Sequence, residues 1–356
     1  MTRLPGILTV AIIALFIFPA TNHADDPPVE LGKVKWHRDL EQAKQLSADS
    51  QKPVLILFQE VPGCQTCQDF GNGPMSHPLM VEAIEDLFVP VLIYNNKEHD
   101  EKILNSFEEP SWNNPVIRFI NAAGDDVIPR QDGVWETIAV ASRMVESLKS
   151  AERDVPHYLL YVAGGNEEAV NQATFAMHCY WVGEAKLGAL DGVLSTHSAW
   201  IGEKEVVQLT FDPAVIDYET LLKKALEMEC ASTVYAHDEA QRASSTAAGA
   251  DVVDAAEHPV TRDAKESDQK YYLRNSVYRH LPLTELQAVK INGALDPDNP
   301  SDPAVHLSPR QREMLVQIEG LLKTDEQALA EYVCPNEADL VAYHQRLSEL
   351  LDEHGG

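Results

Sequence analysis

The sequence predicts an α/β protein of two domains followed by a helical tail, and three observations predict it. Continuous apolar runs of strand length, Pro53 to Gln59 (PVLILFQ) and Phe88 to Tyr94 (FVPVLIY), alternate with segments of helical spacing, as strands buried on both faces do. A second alternating set begins beyond a break at Arg153 to Pro156. After the proline-containing linker Asp296 to Pro303 (DPDNPSDP) only helical patterning remains. With 356 residues, 44% hydrophobic and 24% charged, the chain can build a core in each domain.

The elements follow in chain order. Arg3, the apolar run Ile7 to Phe18 and the small or polar Pro19 to Ala24 have the layout of a secretory signal peptide over residues 1–24. The run is short for a membrane span, so the expectation is an exported protein of the periplasm or cell envelope. Asp25 to Glu30 reads as an acidic linker. The first domain, residues 31–150, is expected to hold a helix in Trp36 to Ala48, the two buried strands, and a third strand at Val116 to Asn121. A turn at Ala123-Gly124-Asp125 would lead into a hairpin partner at Val127-Ile128, and Glu136 to Ser150 closes the domain as a helix.

The second domain, residues 157–296, is expected to place a strand at Ala173 to Met177 and a helix at Tyr180 to Leu190. An alternating strand at Glu205 to Phe211 and a helix at Tyr218 to Glu229 follow. Ala236 to Lys265, rich in Ala, Asp, Glu and Thr, reads as a mobile surface insertion. The tail, residues 304–356, starts a helix at Ser308-Pro309, where serine caps and proline sits first.

A formal charge of −28 and a pI near 4.7 argue against nucleic acid or an anionic membrane as a partner. Five cysteines (Cys64, Cys67, Cys179, Cys230 and Cys334) are too few, and odd in number, for a disulfide framework. Reactive thiols explain the pattern better. The 13 histidines show no ligand spacing; no metal and no cofactor are assigned, and His77, a loop histidine before a proline, reads as solvated.

Cys64-Gln65-Thr66-Cys67 follows a buried strand at the mouth of a helix. A helix N-terminus stabilises a thiolate on Cys64, the attacking sulfur, and Cys67 lies about one turn on, where it can resolve a mixed disulfide. A later X-Pro-strand, Asn114-Pro115-Val116, stands in the order such sites require. The surrounding residues resemble the thioredoxin-like (seleno)proteins named for a Val-Pro-Gly-Sec-x-x-Thr signature. Val61-Pro62-Gly63 is intact, Cys64 stands in the selenocysteine position and Cys67 replaces the threonine. The resemblance, over roughly Val34 to Leu148, implies a thioredoxin-like domain. It makes Cys64 the reactive position and Pro115 the cis-proline site facing extended substrates.

In Met177-His178-Cys179-Tyr180-Trp181 a cysteine again separates a strand from a helix. With Leu190 to Thr196, Glu205 to Pro213, Asp217 to Leu222, and Asp268, Arg274 and Val277-Tyr278, this resembles peptide methionine sulfoxide reductase A over about Ala173 to Ala294. The resemblance implies Cys179 as nucleophile, Glu205 as acid and Asp268 as polar support of the pocket. It makes Trp181 the wall for the substrate methyl, with Tyr180, Trp200 and Tyr272 beside it. His178 replaces the glycine before the cysteine, Trp200 replaces one tyrosine, and Leu273 a second, with Tyr272 adjacent. Cys230 and Cys334 are candidate resolving thiols for Cys179.

Together these readings imply an exported thiol oxidoreductase in which Cys64 and Cys67, supplied by a thiol electron donor, recycle Cys179 during repair of oxidised protein or peptide substrates. Two others stay open: a disulfide reductase or isomerase whose second domain only binds, and a thiol-based metal carrier.

Overall fold

The computed structural model describes residues 27–112, 115–164, 170–333 and 339–354. The expected signal peptide, Asn114 and Cys334 lie outside the described residues. Among the described residues no helix is long and apolar enough to cross a membrane.

Helix α1 (Leu40–Ser50) is capped by Asp39, whose side chain accepts from the Gln42 amide. Strand β1 (Val54–Gln59) is buried along its whole length, and α2 (Gln65–Asn72) and α3 (Pro78–Leu87) follow it. Then come β2 (Val89–Tyr94), α4 (Glu101–Ser106), β3 (Val116–Ile120), α5 (Thr137–Ser150) and α6 (His157–Ala163). The three strands form a sheet of order β2-β1-β3, with β1 parallel to β2 and antiparallel to β3. Alternation along β1 serves two cores: Leu55 and Leu57 pack under α3 and α5, while Val54, Ile56 and Phe58 pack on the other face with Leu40 and Leu104. The expected hairpin partner at Val127-Ile128 is reduced to a single bridge, Ile120 to Asp126, because Ile128 turns into the core instead of extending. Helix α6 packs Tyr158, Leu159 and Val162 into this first core, although its sequence lies beyond the Arg153 to Pro156 break.

The next unit runs through β4 (Asn171–Met177), α7 (Tyr180–Gly188), β5 (Val193–Ile201), β6 (Lys204–Phe211), α8 (Tyr218–Glu227) and β7 (Thr233–Ala236). It continues with α9 (Glu239–Ala247), β8 (Val252–Asp254), β9 (Arg262–Asp263), α10 (Tyr271–Arg274) and α11 (Glu285–Ala294). Its six strands have the order β8-β7-β4-β6-β5-β9, antiparallel except for β7 with β8. The segment expected to be a mobile insertion is therefore part of the sheet. Asp238 caps α9 through the Gln241 amide at 2.7 Å, and Gln241 donates to the Gln172 carbonyl at 2.7 Å. Arg242 pairs with Asp254 at 2.7 Å, fixing β8 beside β7. Polar side chains hold this segment, which is why a shortage of large apolar residues misreads it.

The tail contains α12 (Pro309–Thr324) and α13 (Leu340–His354), and Ser308 and Pro309 start α12 as expected, with Gln311 completing a capping box. A core of Leu273, Leu281, Ile291, Leu315, Ile318 and Leu347 joins these helices to α11. Helix α12 also docks on the first domain: Glu82 accepts from the Arg310 amide at 2.9 Å, and Arg310 pairs with Glu85 at 2.8 Å.

At this junction His77 is buried, not solvated, and neither ring nitrogen has a hydrogen-bond partner among the described residues. Burial, with the nearby His344, pushes its pKa down to about 4. A histidine depressed below its unfolded value of 6.5 binds a proton more readily when unfolded. Its contribution to stability is intact above pH 6.5, is lost as pH falls, and is fully lost below about 4. The loss is on the order of 3 kcal/mol. Urea unfolding at pH 7 and pH 4.5 should show a smaller pH difference for His77→Leu than for the unsubstituted chain. An unchanged difference would assign the acid sensitivity to other groups.

Candidate functional site

The first site grows from the end of β1. Cys64 is the N-cap residue of α2 and is exposed, whereas Cys67, one turn into the helix, is fully buried. Their sulfurs lie 3.6 Å apart. The backbone N–H of Cys67 is the main influence lowering the Cys64 pKa. Burial, with the hydrogen bond and charge of Cys64 added, pushes the Cys67 thiol up to about 12. One exposed nucleophile and one buried partner held in reserve is the division of labour that thiol–disulfide exchange needs.

The loop before Cys64 is held from three sides. The Gly63 amide donates to Glu30 Oε1 at 2.8 Å. Val61 donates from its amide to Asn96 Oδ1 at 3.4 Å and accepts from Asn96 Nδ2 at 3.3 Å. Gln59 Nε2 donates to the Glu30 carbonyl at 2.9 Å. Glu30 is thus buried structure beneath the site and not linker, a correction forced by a contact spanning 33 residues. Two glycines make the arrangement possible. A Cβ on Gly63 would lie 2.6 Å from Cys67 Cβ, and one on Gly71 would lie 1.9 Å from the Val29 carbonyl oxygen. Half-buried Glu60 completes the site, its carboxylate and the two sulfurs all lying within 4.8 Å of one another. Pro115 immediately precedes β3, and its carbonyl accepts from the exposed Trp135 indole at 3.2 Å.

The second site lies where β4 meets α7. Cys179 is the N-cap residue of α7 and half-buried. Glu205, opposite Met177 across the sheet, accepts from the Tyr180 amide through Oε2 at 2.7 Å. The Tyr180 hydroxyl donates to Asp268 Oδ2 at 3.2 Å, and its ring meets Trp200 edge-on at 5.8 Å. Burial first, then the charge of Asp268, raises the Tyr180 pKa. Tyr272 is raised by burial and by several charges, that of Cys179 among them. The structure therefore gathers Cys179, Tyr180, Glu205, Trp200, Asp268 and Tyr272 into one place. Fully buried Glu184 of α7 accepts from Thr196 Oγ1 at 3.0 Å and Ser198 Oγ at 3.1 Å on β5, and from the amide of Lys270, the N-cap residue of α10, at 2.7 Å, so it ties the segment from Asp268 to Tyr272 to α7.

Two further features shape the surroundings of this site. Trp181, expected to wall the substrate methyl, stacks on Tyr271 at 3.9 Å with the planes 10° apart, so one indole face is already covered. Leu273 is fully buried in the helical core, leaving Tyr271 and Tyr272 as the phenols of α10. Cys230 is buried with its thiol donating to the Met228 carbonyl at 3.4 Å, and burial pushes its pKa up to about 11. Glu30, Glu60, Asn96 and Tyr271 escaped the sequence reading. Only Glu60, four residues before Cys64, carried a local signal.

Comparison with known proteins finds likenesses in part of the chain. Residues 35–122 match the family described as Thioredoxin-like. The chain is similar to peptide methionine sulfoxide reductase MsrA of Geobacter sulfurreducens, 30% identical over 76 residues, a match covering 17% of this chain and 47% of that protein. The chain thus spans about half the length of this curated relative. Among solved structures it is similar to Mxr1 from Saccharomyces cerevisiae in an unusual oxidized form, at 19% identity and a TM-score of 0.22, covering 31% of this chain and 85% of that one. The fold is mixed α/β with a thioredoxin-like domain and a helical C-terminal region, and the similarities support a thioredoxin-like oxidoreductase.

Proposed function

We propose that this chain is an exported oxidoreductase that reduces methionine-S-sulfoxide in oxidised proteins or peptides at Cys179 and recycles that cysteine through Cys64 and Cys67. The observation that carries the reading is the meeting of Cys179, Glu205 and the Tyr180–Asp268 pair at the start of α7. The Cys179 thiolate attacks the sulfoxide sulfur while Glu205 supplies a proton to the oxygen. Methionine departs and Cys179 is left as a sulfenic acid. Condensation with the Cys64 thiol releases water and forms a Cys64–Cys179 disulfide. Cys67 then attacks Cys64, freeing the Cys179 thiolate and leaving a Cys64–Cys67 disulfide for an external thiol donor to reduce. Both domains on one chain raise the local concentration of reductant at the second site.

The stacking of Trp181 on Tyr271 favours a second reading, a disulfide reductase whose second domain binds without catalysing. Trapping separates the two. Cys67→Ser protein given a methionine-S-sulfoxide peptide should accumulate a Cys64–Cys179 disulfide, identified by mass spectrometry of a non-reducing digest. Its absence under conditions that oxidise Cys179 would sink the relay.

A further inference from the structure

We propose that the reduced first site is also a binding site for a thiophilic divalent cation, with Glu60, Cys64 and Cys67 as its three protein ligands and zinc as the cation to test. Tetrahedral zinc, with Zn–S bonds of about 2.3 Å, holds two sulfurs roughly 3.8 Å apart. The two sulfurs here stand 3.6 Å apart, and the Glu60 carboxylate lies within 4.8 Å of each. Two thiolates and a carboxylate form a donor set that zinc accepts, and their charge exceeds that of the ion by one. The backbone between the ligands is already fixed, because Glu30 holds Gly63 and Asn96 holds Val61. Closing the carboxylate onto the metal therefore needs side-chain rotation and no rebuilding of the loop.

Three protein ligands leave the fourth position to water or an incoming thiolate, the mark of an exchangeable site rather than a structural one. The position of Cys64 at the exposed surface gives the ion a route in and out. On binding, each sulfur still protonated releases its proton to buffer, and no electrons move. Metal and disulfide exclude each other. Forming the Cys64–Cys67 disulfide transfers two electrons to the oxidised partner, removes both thiolates and ejects the ion. Zinc would hold the pair reduced and silent until an oxidised substrate displaced it.

The regulatory consequence rests on the redox reading of the same pair, but binding is measured without turnover, so the two fail separately. Full-length reduced protein would be titrated with zinc against a chromophoric chelator. The variants are Cys64→Ser, Glu60→Gln and Glu60→His, where histidine restores a ligand. The expected results are one ion lost in Cys64→Ser, affinity weakened at least about 10-fold in Glu60→Gln, substantial recovery in Glu60→His, and no binding after oxidation of the pair. Equal affinity in Glu60→Gln and the unsubstituted chain would overturn the site, as would zinc retained by the oxidised protein.

Discussion

Replacing Cys64 with serine should abolish reduction of a disulfide substrate, by about 10³-fold or more, while Cys67→Ser should stop the same reaction one step later, as a trapped mixed disulfide. The asymmetry follows from where the helix start places the two sulfurs. Cys64 is exposed and its pKa is lowered, chiefly by the Cys67 amide, so it reaches substrate and attacks as thiolate. Cys67 is fully buried with its thiol pushed up to about 12. At pH 7 it is therefore held as the thiol. It has no means of initiating exchange and acts only once Cys64 carries the substrate sulfur next to it. Iodoacetamide on the native reduced protein should therefore modify Cys64 well before Cys67 or Cys230, the latter also buried and raised to about 11. Peptide mapping over a time course measures this order. Equal labelling of Cys64 and Cys67 would contradict the division of roles.

Much of this was legible in sequence for a local reason. Val54–Gln59 reads as a buried strand because both its faces meet apolar layers, and the run is too short for a buried helix. Ser308-Pro309 announces α12 because cap and proline act within one turn. Cys64 and Cys179 both read as strand-to-helix cysteines, and both are N-cap residues in the structure. The signals that failed were those settled by distant chain. Glu30 sits among acidic and proline residues and looks like linker, yet a glycine 33 positions away gives it a partner. His77 looks solvated, yet the fold buries it, and His344 of α13, distant in sequence, adds its charge to the burial that lowers the pKa. Ala236 to Lys265 lacks the bulk that marks a core segment, and its order comes from a cap, ion pairs such as Arg242–Asp254, and strand pairing with β7 and β5. Periodicity also could not reveal that the second sheet is largely antiparallel, because β4, buried at five consecutive positions, carries the pattern of a parallel strand.

At the second site the decisive substitution is Glu205→Gln, set beside Cys179→Ser. Under the proposed mechanism Cys179→Ser eliminates reduction of a methionine-S-sulfoxide peptide by dithiothreitol, because no other described cysteine stands at the start of α7. Glu205→Gln should lower kcat about 10²- to 10³-fold with little change in KM. Glutamine keeps an oxygen to accept the Tyr180 amide, now 2.7 Å from the carboxylate, so the helix start stays in place while the proton source is lost. That separation of position from acidity is what makes the variant informative. Asp268 sits one hydroxyl further away, receiving the Tyr180 phenol at 3.2 Å. Asp268→Asn should therefore act more weakly, through the orientation of Tyr180. If Cys179→Ser is inactive and Glu205→Gln is not, the proton comes instead through the Tyr180–Asp268 pair, and Tyr180→Phe becomes the variant that loses kcat. If the unsubstituted protein itself shows no turnover, the covered face of Trp181 gains its full weight. The chemistry then belongs to Cys64 and Cys67 alone, with the second domain presenting substrates to them.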